Sequence, residues 1–351
     1  MQASLDAEVK SRTASAPGRV NLIGDHTDYT GGLALPAALP WRTNVTATPL
    51  DGEVCVETTF DGVDHTDVIG YLDDASTAPP HLQLAQFLAR RLGEGATLSV
   101  SSTVPVGAGL SSSAAYCVAV ALALGASGDP WTIARLCQQA EAAAGANVGL
   151  LDQIAALCGE VGHAVLIDFS AETTKNIALP EGTELLIVDS GERRSLATSA
   201  YGERRQACEQ AARIIGPLAQ ASRADLELLH DELLRRRARH VLSENQRVRD
   251  AVEAAATHDA VGFGQLMNES HESLSSDFEV STGGIDTLAA TIRSSAGIYG
   301  ARMTGGGFGG CVIALAQSGA AQRLDLPAAH WVVTPSAGAT RGGDDDEASS
   351  R

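Results

Sequence analysis

The sequence predicts a chain of two domains in which strands and helices are mixed from end to end. Its 351 residues exceed a single typical domain. Thr43–Thr48 and Glu53–Thr59 alternate with the two-residue period of half-buried strands, whereas Pro80–Leu92 and Thr132–Ala144 carry helical patterns. Charge and the placement of Pro and Gly shift near Pro180–Glu184, which sets a boundary. The expected division is residues 10–180, residues 181–340 and an acidic, disordered tail at 341–351. A hydrophobic content of 44% suffices for full cores, and an aromatic content of 4% makes their packing aliphatic and Ala-rich.

In chain order, Arg19–Ile23 reads as a short strand that breaks at Gly24. The two alternating runs follow, with Asp61–Thr66 as a polar turn after them. The helix opened by Pro79-Pro80 leads to a strand at Thr97–Thr103, then to a buried helix at Ala114–Leu124. Pro130 opens the next helix, and another runs from Leu150 to Cys158. His163–Phe169 and Glu184–Val188 read as strands. Helices are expected at Tyr201–Ile215, Asp225–Leu242, Asn245–Ala256 and Leu266–Glu272, and a last strand at Cys311–Leu315. Arg235–Arg239, with four arginines in five residues, reads as a solvated helix face.

The formal charge of −18 argues against nucleic acid or an anionic membrane as partner. Part of that charge is the run Asp344–Glu347. The six cysteines are far apart and lack a C-x-x-C pair, so buried free thiols in a reducing compartment are expected, and no zinc site. Met1–Lys10 lacks a signal pattern, and the longest apolar stretch falls short of the roughly 20 residues that span a bilayer. The expectation is a soluble, cytoplasmic monomer that binds small molecules.

Four segments carry chemistry. Val104–Ala115 reads V-P-V-G-A-G-L-S-S-S-A-A. The small residues Gly107, Ala108 and Gly109 leave the backbone bare. Leu110 follows, then the hydroxyls Ser111, Ser112 and Ser113 and a helix start. Such a loop lets N–H groups and a helix dipole converge on an anion, phosphate above all. A Gly-rich turn with a serine cap before a core helix is the bland alternative. The loop lacks the Lys-Ser/Thr of a Walker A motif and the third glycine of the dinucleotide fingerprint.

In Ser15–Gly32, S-A-P-G-R-V-N-L-I-G-D-H-T-D-Y-T-G-G, the residues Asp25, His26 and Asp28 crowd one turn. That pattern suits hydroxyls of a polyol, an incomplete metal site, or a plain Asx turn. Asp152 stands between Leu151 and Ile154, an unusual setting for a carboxylate unless it is paired, catalytic or a helix cap. Met303–Gly310, M-T-G-G-G-F-G-G, is a second turn whose glycines imply positive φ or close approach to a ligand.

Taken together, Pro17–Gly32, Val104–Ala115, Gly149–Gln153 (G-L-L-D-Q) and Ala301–Gly310 resemble the GHMP small-molecule kinases and, within them, the galactokinases. Arg237–Asn245 and Met267–Leu274 are similar to the same family, and the likeness runs from about residue 14 to 339. The resemblance implies an α+β, two-domain GHMP kinase fold. Its N-terminal domain would be ribosomal-S5-like, its C-terminal domain ferredoxin-like, and its active site would lie in the cleft between them. It implies transfer of the γ-phosphoryl of Mg·ATP to the C1 hydroxyl of α-D-galactose, with Mg²⁺ as cofactor and ATP as co-substrate. Carried over by position, Asp152 is the catalytic base and Arg19 its stabilising partner. Asp25, His26, Asp28, Gly149 and Tyr201 contact the sugar, Gly107 to Ser113 hold the phosphates, and Ser113 and Glu141 hold the metal.

Two other readings compete: a C1 kinase for a different sugar, and a catalytically silent sensor of galactose and ATP. Retention of Asp152, Arg19, Ser113 and Glu141 argues against the sensor. Three features depart from the family pattern. Asp25 stands where the family has Glu, which predicts a sugar contact withdrawn by one bond length, ~1.5 Å, and weaker selection at the C6 hydroxyl. The Glu141–Asp152 loop is one residue short, and T-G-G-I-D follows Val280-Ser281.

Overall fold

A computed structural model describes residues 11–342 apart from 61–62, 147, 194–196 and 327. The acidic run Asp344–Glu347 and the first ten residues lie outside the described residues. The chain opens with β1 (Arg12–Asn21), β2 (Leu33–Ala34) and β3 (Pro36–Pro49), followed by β4 (Glu53–Phe60) and β5 (Val63–Gly70). Then come α1 (Pro80–Leu92), β6 (Ala96–Ser102), α2 (Ser112–Ala123), α3 (Pro130–Ala143) and α4 (Leu151–Cys158). β7 (His163–Asp168), β8 (Thr173–Ala178) and β9 (Thr183–Asp189) lead to α5 (Ala197–Ile215), α6 (Glu232–Ala256), α7 (Ala260–Ser276) and α8 (Gly283–Arg293). The chain closes with β10 (Ile298–Met303), β11 (Cys311–Gln317), β12 (His330–Val333) and β13 (Thr340–Arg341).

Three sheets organise these elements. The first has the order β13-β1-β3-β6-β4-β5, antiparallel except for the β4–β6 pair. The second, β10-β11-β9-β12, is antiparallel throughout, and the third is β2-β7-β8. α2 has no polar face beyond its first turn, because every residue from Cys117 to Leu124 is apolar and buried. It therefore sits centrally, with α1 and α3, against the inner face of the first sheet. Its direction aims its N-terminus, where Ser111–Ser113 lie, at the start of α4.

The second sheet is covered on both faces, which is why β9 and β11 are apolar at every central position rather than alternating. Leu185, Ile187, Ile313 and Leu315 pack with Val20, Leu22 and Leu35 of the first half and with Phe263 of α7. Leu186, Val188, Val312 and Ala314 turn the other way, onto Ala211, Leu274 and Ile285. One core thus runs across both halves of the chain and fixes the sugar-type turn against the second sheet.

Several expectations need correction. Val63–Thr66 is strand, part of β5, and the remainder of that expected turn lies outside the described residues. Asp225–Leu242 and Asn245–Ala256 are not two helices: Asp225–Leu228 is a 3-10 turn and α6 runs unbroken to Ala256. Arg235–Arg239 is a solvated face only in part: Arg235, Arg236 and Arg239 stay half-exposed and ion-paired, whereas Arg237 does not. Arg237 is wholly buried and pairs with Glu279, Arg236 reaches the same carboxylate, and Arg239 pairs with Asp277. The segment T-G-G-I-D has a physical role here. Thr282 caps α8 by accepting from the Ile285 N–H, and Asp286 accepts from Ser275 and Ser281. None of the six cysteines is in a disulfide, and five are buried. Among the described residues no helix is long and apolar enough to cross a membrane.

Candidate active site

A cleft of about 510 Å³ opens between the first and second halves of the chain. Arg19, Asp25, His26, Asp28, Gly149 and Asp152 line one side of it, and Tyr201 with Gly305–Gly307 lines the other. Each residue arrives by a local cause. Gly18 lets β1 bulge and touch the phosphate-type loop, where the Arg19 N–H donates to Leu110 O at 3.1 Å. A Cβ at Gly18 would lie 2.6 Å from that carbonyl. Arg19 then points along the loop: Nη1 donates to Gly109 O (2.8 Å) and Nε donates to Asp152 Oδ1 (2.7 Å).

Asp152 lies in the first turn of α4, and its side chain does not cap that helix. Its other oxygen, Oδ2, accepts from Ser111 Oγ. Ser111 sits in the left-handed region at φ 60° and Gly107 and Gly109 at 75° and 78°, so the loop folds back on the Arg19–Asp152 pair. The carboxylate is thus fixed at both oxygens yet keeps about a third of its side chain accessible from the cleft, 30%. Sequence reading placed Ser111 among phosphate contacts and missed this bond.

Next to it, Ser113 Oγ donates to Glu141 Oε1 at 2.9 Å, and Gln153 Nε2 donates to Oε2. The short loop between Glu141 and Asp152 therefore leaves the Ser113–Glu141 pair assembled. Burial pushes the Glu141 carboxyl up to about 7; the Ser113 and Gln153 hydrogen bonds pull against this, and the Asp152 charge adds to it. Among the described residues no group of three or more His, Cys, Asp or Glu could hold a metal by itself. One buried carboxylate beside one hydroxyl is a hard-oxygen donor set that fits Mg²⁺, which takes one or two carboxylates and completes its shell with phosphate oxygens and water.

The sugar-type turn is built at Gly24–Gly32. Thr27 Oγ1 ties it internally to Gly24 O and Leu33 O (2.9 and 2.7 Å), and His26 is held at φ 64°. His26 Nδ1 lies 3.0 Å from the Tyr29 hydroxyl, and its ring packs on Phe278 (4.5 Å between centroids) and Tyr201 (5.5 Å). Gly149 packs directly on the Asp28 carboxylate, so any Cβ there would overlap it. Withdrawal from solvent, with Asp152 adding repulsion, pushes the Asp28 carboxyl up to about 6. Asp25 does not hang free in the cleft: it pairs with the wholly buried Arg302. Burial raises its carboxyl, while Arg302 opposes the shift.

The expected residues of the sugar turn and the catalytic pair thus line one cleft, and the phosphate loop adjoins it where Gly109 O accepts from Arg19 and Ser111 donates to Asp152, while Ala108 and Leu110 of that loop are buried in the core. Sequence reading missed Arg302, Glu244, His240 and Phe278, which hold that turn from behind. Phe278, between Asp277 and Glu279 in S-S-D-F-E-V-S, carries no chemical signal of its own. Glu244 and Asn245, the last two residues of R-A-R-H-V-L-S-E-N, are legible only as part of the family likeness.

The chain is similar to known proteins over most of its length. Residues 4–49 match the model described as galactokinase galactose-binding signature, residues 81–160 the GHMP kinases N terminal domain, and residues 251–325 the GHMP kinases C terminal domain. It is 41% identical over 332 residues to galactokinase of Chloroflexus aggregans, covering 88% of this chain and 84% of that one. It is 40% identical over 331 residues to galactokinase of Homo sapiens, with 88% and 84% covered. Among solved structures, Lactococcus lactis galactokinase complexed with galactose superposes with a TM-score of 0.86 at 29% identity, covering 94% of this chain and 95% of that one. A mevalonate kinase at 18% identity and a TM-score of 0.63, with 92% and 99% covered, shares the fold.

Proposed function

The chain belongs to the galactokinase family of the GHMP kinases, and on that premise we propose how its residues carry out the family's reaction. It has the two-domain α+β GHMP kinase fold and is an ATP-dependent kinase that phosphorylates galactose. The observation that carries the residue roles is the Asp152 carboxylate. It is held by Arg19 and Ser111 at the point where the phosphate loop and the sugar turn meet.

In this reading galactose lies in the cleft against Asp25, His26, Asp28, Gly149 and Tyr201, and Gly107 to Ser113 surround the phosphates of ATP. The C1 hydroxyl loses its proton to Asp152 as its oxygen bonds the γ-phosphorus. The bond from that phosphorus to the β–γ bridging oxygen breaks, and that oxygen leaves with ADP, giving galactose 1-phosphate. Arg19 Nε holds the Asp152 carboxylate in place, and its Nη1 contact with Gly109 holds base and phosphate loop in register. Phosphoryl transfer demands little covalent help, so positioning and charge stabilisation dominate. Ser113 and Glu141 would hold Mg²⁺, which supplies neutralisation of the phosphate oxygens when bound. The protein works as a cytoplasmic monomer in this reading, with residues 10–180 and 181–340 as its two domains.

The test is ADP release against a panel of hexoses, pentoses and amino sugars, with the product phosphate located by NMR. Galactose should give the highest kcat/KM and a phosphate on C1. Preference for another sugar, or phosphate at another carbon, overturns the assignment.

A further inference from the structure

Arg302 is the largest charged side chain at the sugar turn that no step above uses. It stands at the end of β10, just before the turn whose Gly305–Gly307 line the cleft, and it is wholly buried. Its Nη2 pairs with Asp25 Oδ2, whereas Nε and Nη1 have no hydrogen-bond partner among the described residues. Asp25 in turn lines the cleft. A buried ion pair adds little net stability over well-packed apolar residues, so its effect is on where the groups sit.

The backbone of the same turn is held separately by α6. Glu244 Oε1 accepts from the Gly24 N–H (2.8 Å), and Asn245 Oδ1 accepts from the Leu33 N–H (2.7 Å). His240 is kept neutral by burial, its pKa lowered to about 4. Its Nδ1, 2.9 Å from Ser273 Oγ, accepts from that hydroxyl, and its Nε2 donates to Asp25 O at 3.2 Å. The main chain of Asp25 is therefore fixed by one element and its carboxylate by another.

We propose that Arg302 is a positioning residue for sugar recognition, holding the Asp25 carboxylate at the cleft wall and locking the sugar turn to the glycine turn at Gly305–Gly307. The proposal rests on the reading that Asp25 faces galactose. A carboxylate anchored this way cannot follow an ill-fitting sugar, so its partner sets both affinity for galactose and discrimination at the hydroxyl that Asp25 meets.

The test uses Arg302→Met and Arg302→Lys in the full-length protein, with kcat and KM for galactose and for ATP and with thermal unfolding. A displacement of about 1 Å at a positioning group costs on the order of a hundredfold. We expect kcat/KM for galactose to fall by that order in Arg302→Met, chiefly through KM, with KM for ATP within about twofold, and a smaller loss in Arg302→Lys. The acid limb of kcat/KM for galactose should also move to higher pH in Arg302→Met. Asp25 would then face Arg19 and Asn21 from β1, Glu244 and neutral His240 from α6, and Asp28 in its own turn, and only Asn21 and Arg19 would oppose its protonation. The Asp25 charge helps to raise the Asp28 carboxyl, so neutralising Asp25 would lower Asp28, and a limb that moves to higher pH therefore reports Asp25.

If Arg302→Met folds and its galactose KM and acid limb match the parent, the proposal is overturned. If it does not fold, Arg302→Lys decides: parent-like galactose KM and discrimination against 6-deoxygalactose overturn the proposal, and a galactose-specific loss supports it. Failure of the parent to phosphorylate galactose would instead overturn the functional reading itself.

Discussion

Replacing Gly18 by Ala should cripple transfer although Gly18 itself meets no substrate. A Cβ at this position would lie 2.6 Å from Leu110 O and 3.0 Å from Val104 Cγ1. Ordinary contact begins near 3.4 Å, so strand and loop must part by about 0.8 Å, and the obstructing atom is backbone, which cannot swing aside as a side-chain tip can. The separation breaks the bond from the Arg19 N–H to Leu110 O and shifts Gly109 relative to Arg19 Nη1. A loop moved by close to 1 Å costs roughly a hundredfold in kcat, about 2.7 kcal/mol of barrier. Stability should fall by about 2–3 kcal/mol, from one lost backbone hydrogen bond and overpacking on Val104. Steady-state kinetics with both substrates and thermal unfolding measure the two effects. Gly202→Ala is the control: it lies within α5 with nothing inside 4 Å, and it should stabilise by about 0.5–1 kcal/mol with unchanged kcat. If Gly18→Ala keeps kcat and KM within twofold of the parent, the strand does not set the loop and the reasoning fails.

Other outcomes follow from the same geometry. Asp152→Asn keeps the shape of the pair but cannot take a proton, so kcat should drop by roughly a hundred- to ten-thousandfold with galactose and ATP binding nearly intact; near-parent turnover would remove Asp152 from the mechanism. Ser113→Ala and Glu141→Ala should each raise the Mg²⁺ concentration giving half-maximal rate, and a parent-like Mg²⁺ titration of Glu141→Ala would end that assignment. Glu141 also has a pH signature. Its folded pKa, about 7, lies above its ordinary 4.5, so the folded state binds the extra proton and stability from this group falls as pH rises from 4.5 to about 7. The unliganded Tm of Glu141→Gln should depend less on pH across that window than the parent's, and an identical dependence refutes the shift. Gly149→Ala must displace the Asp28 carboxylate, so KM for galactose should rise about tenfold or more while KM for ATP stays; equal change in both would point to general disruption.

What could be read from sequence followed what leaves a local mark. The phosphate loop, the sugar turn and the strands around them have glycines, hydroxyls and alternation that act within a few residues. α6 reads from sequence as two helices because Ser243, Glu244 and Asn245 interrupt an apolar pattern. In the fold their polarity is what qualifies them, since Glu244 and Asn245 meet N–H groups of a turn over 200 residues away. Arg237 misled for the same reason: a run of arginines normally faces water, and only the carbonyl of Asp277 and the carboxylate of Glu279 make its burial tenable. β8, T-T-K-N-I-A, is exposed at all but one position and shows no alternation, so β7 alone reveals it. α8 begins with two glycines, which disguise a helix whose cap is Thr282. Asp25 is the sharpest case. Its shorter side chain suggested a gap toward the sugar, whereas its partner Arg302, distant in sequence, decides where the carboxylate stands.

The first sheet is finished by the last strand. β13 pairs with the edge of β1, setting Ala14 opposite Arg341 and Ser15 opposite Thr340. Just before it, the Ser336 N–H donates to Ala38 O, the Gly338 N–H to Gly159 O, and the Ala339 N–H to Ala156 O, while Arg42 clasps the carbonyls of Ala337 and Gly338. During synthesis the first six strands emerge long before their closing strand. The nascent chain therefore carries an unpaired β1 edge, a template for intermolecular pairing, until the ribosome has released residue 341. Truncations before Thr340 that spare every residue in the cleft should accordingly aggregate more than the full sequence.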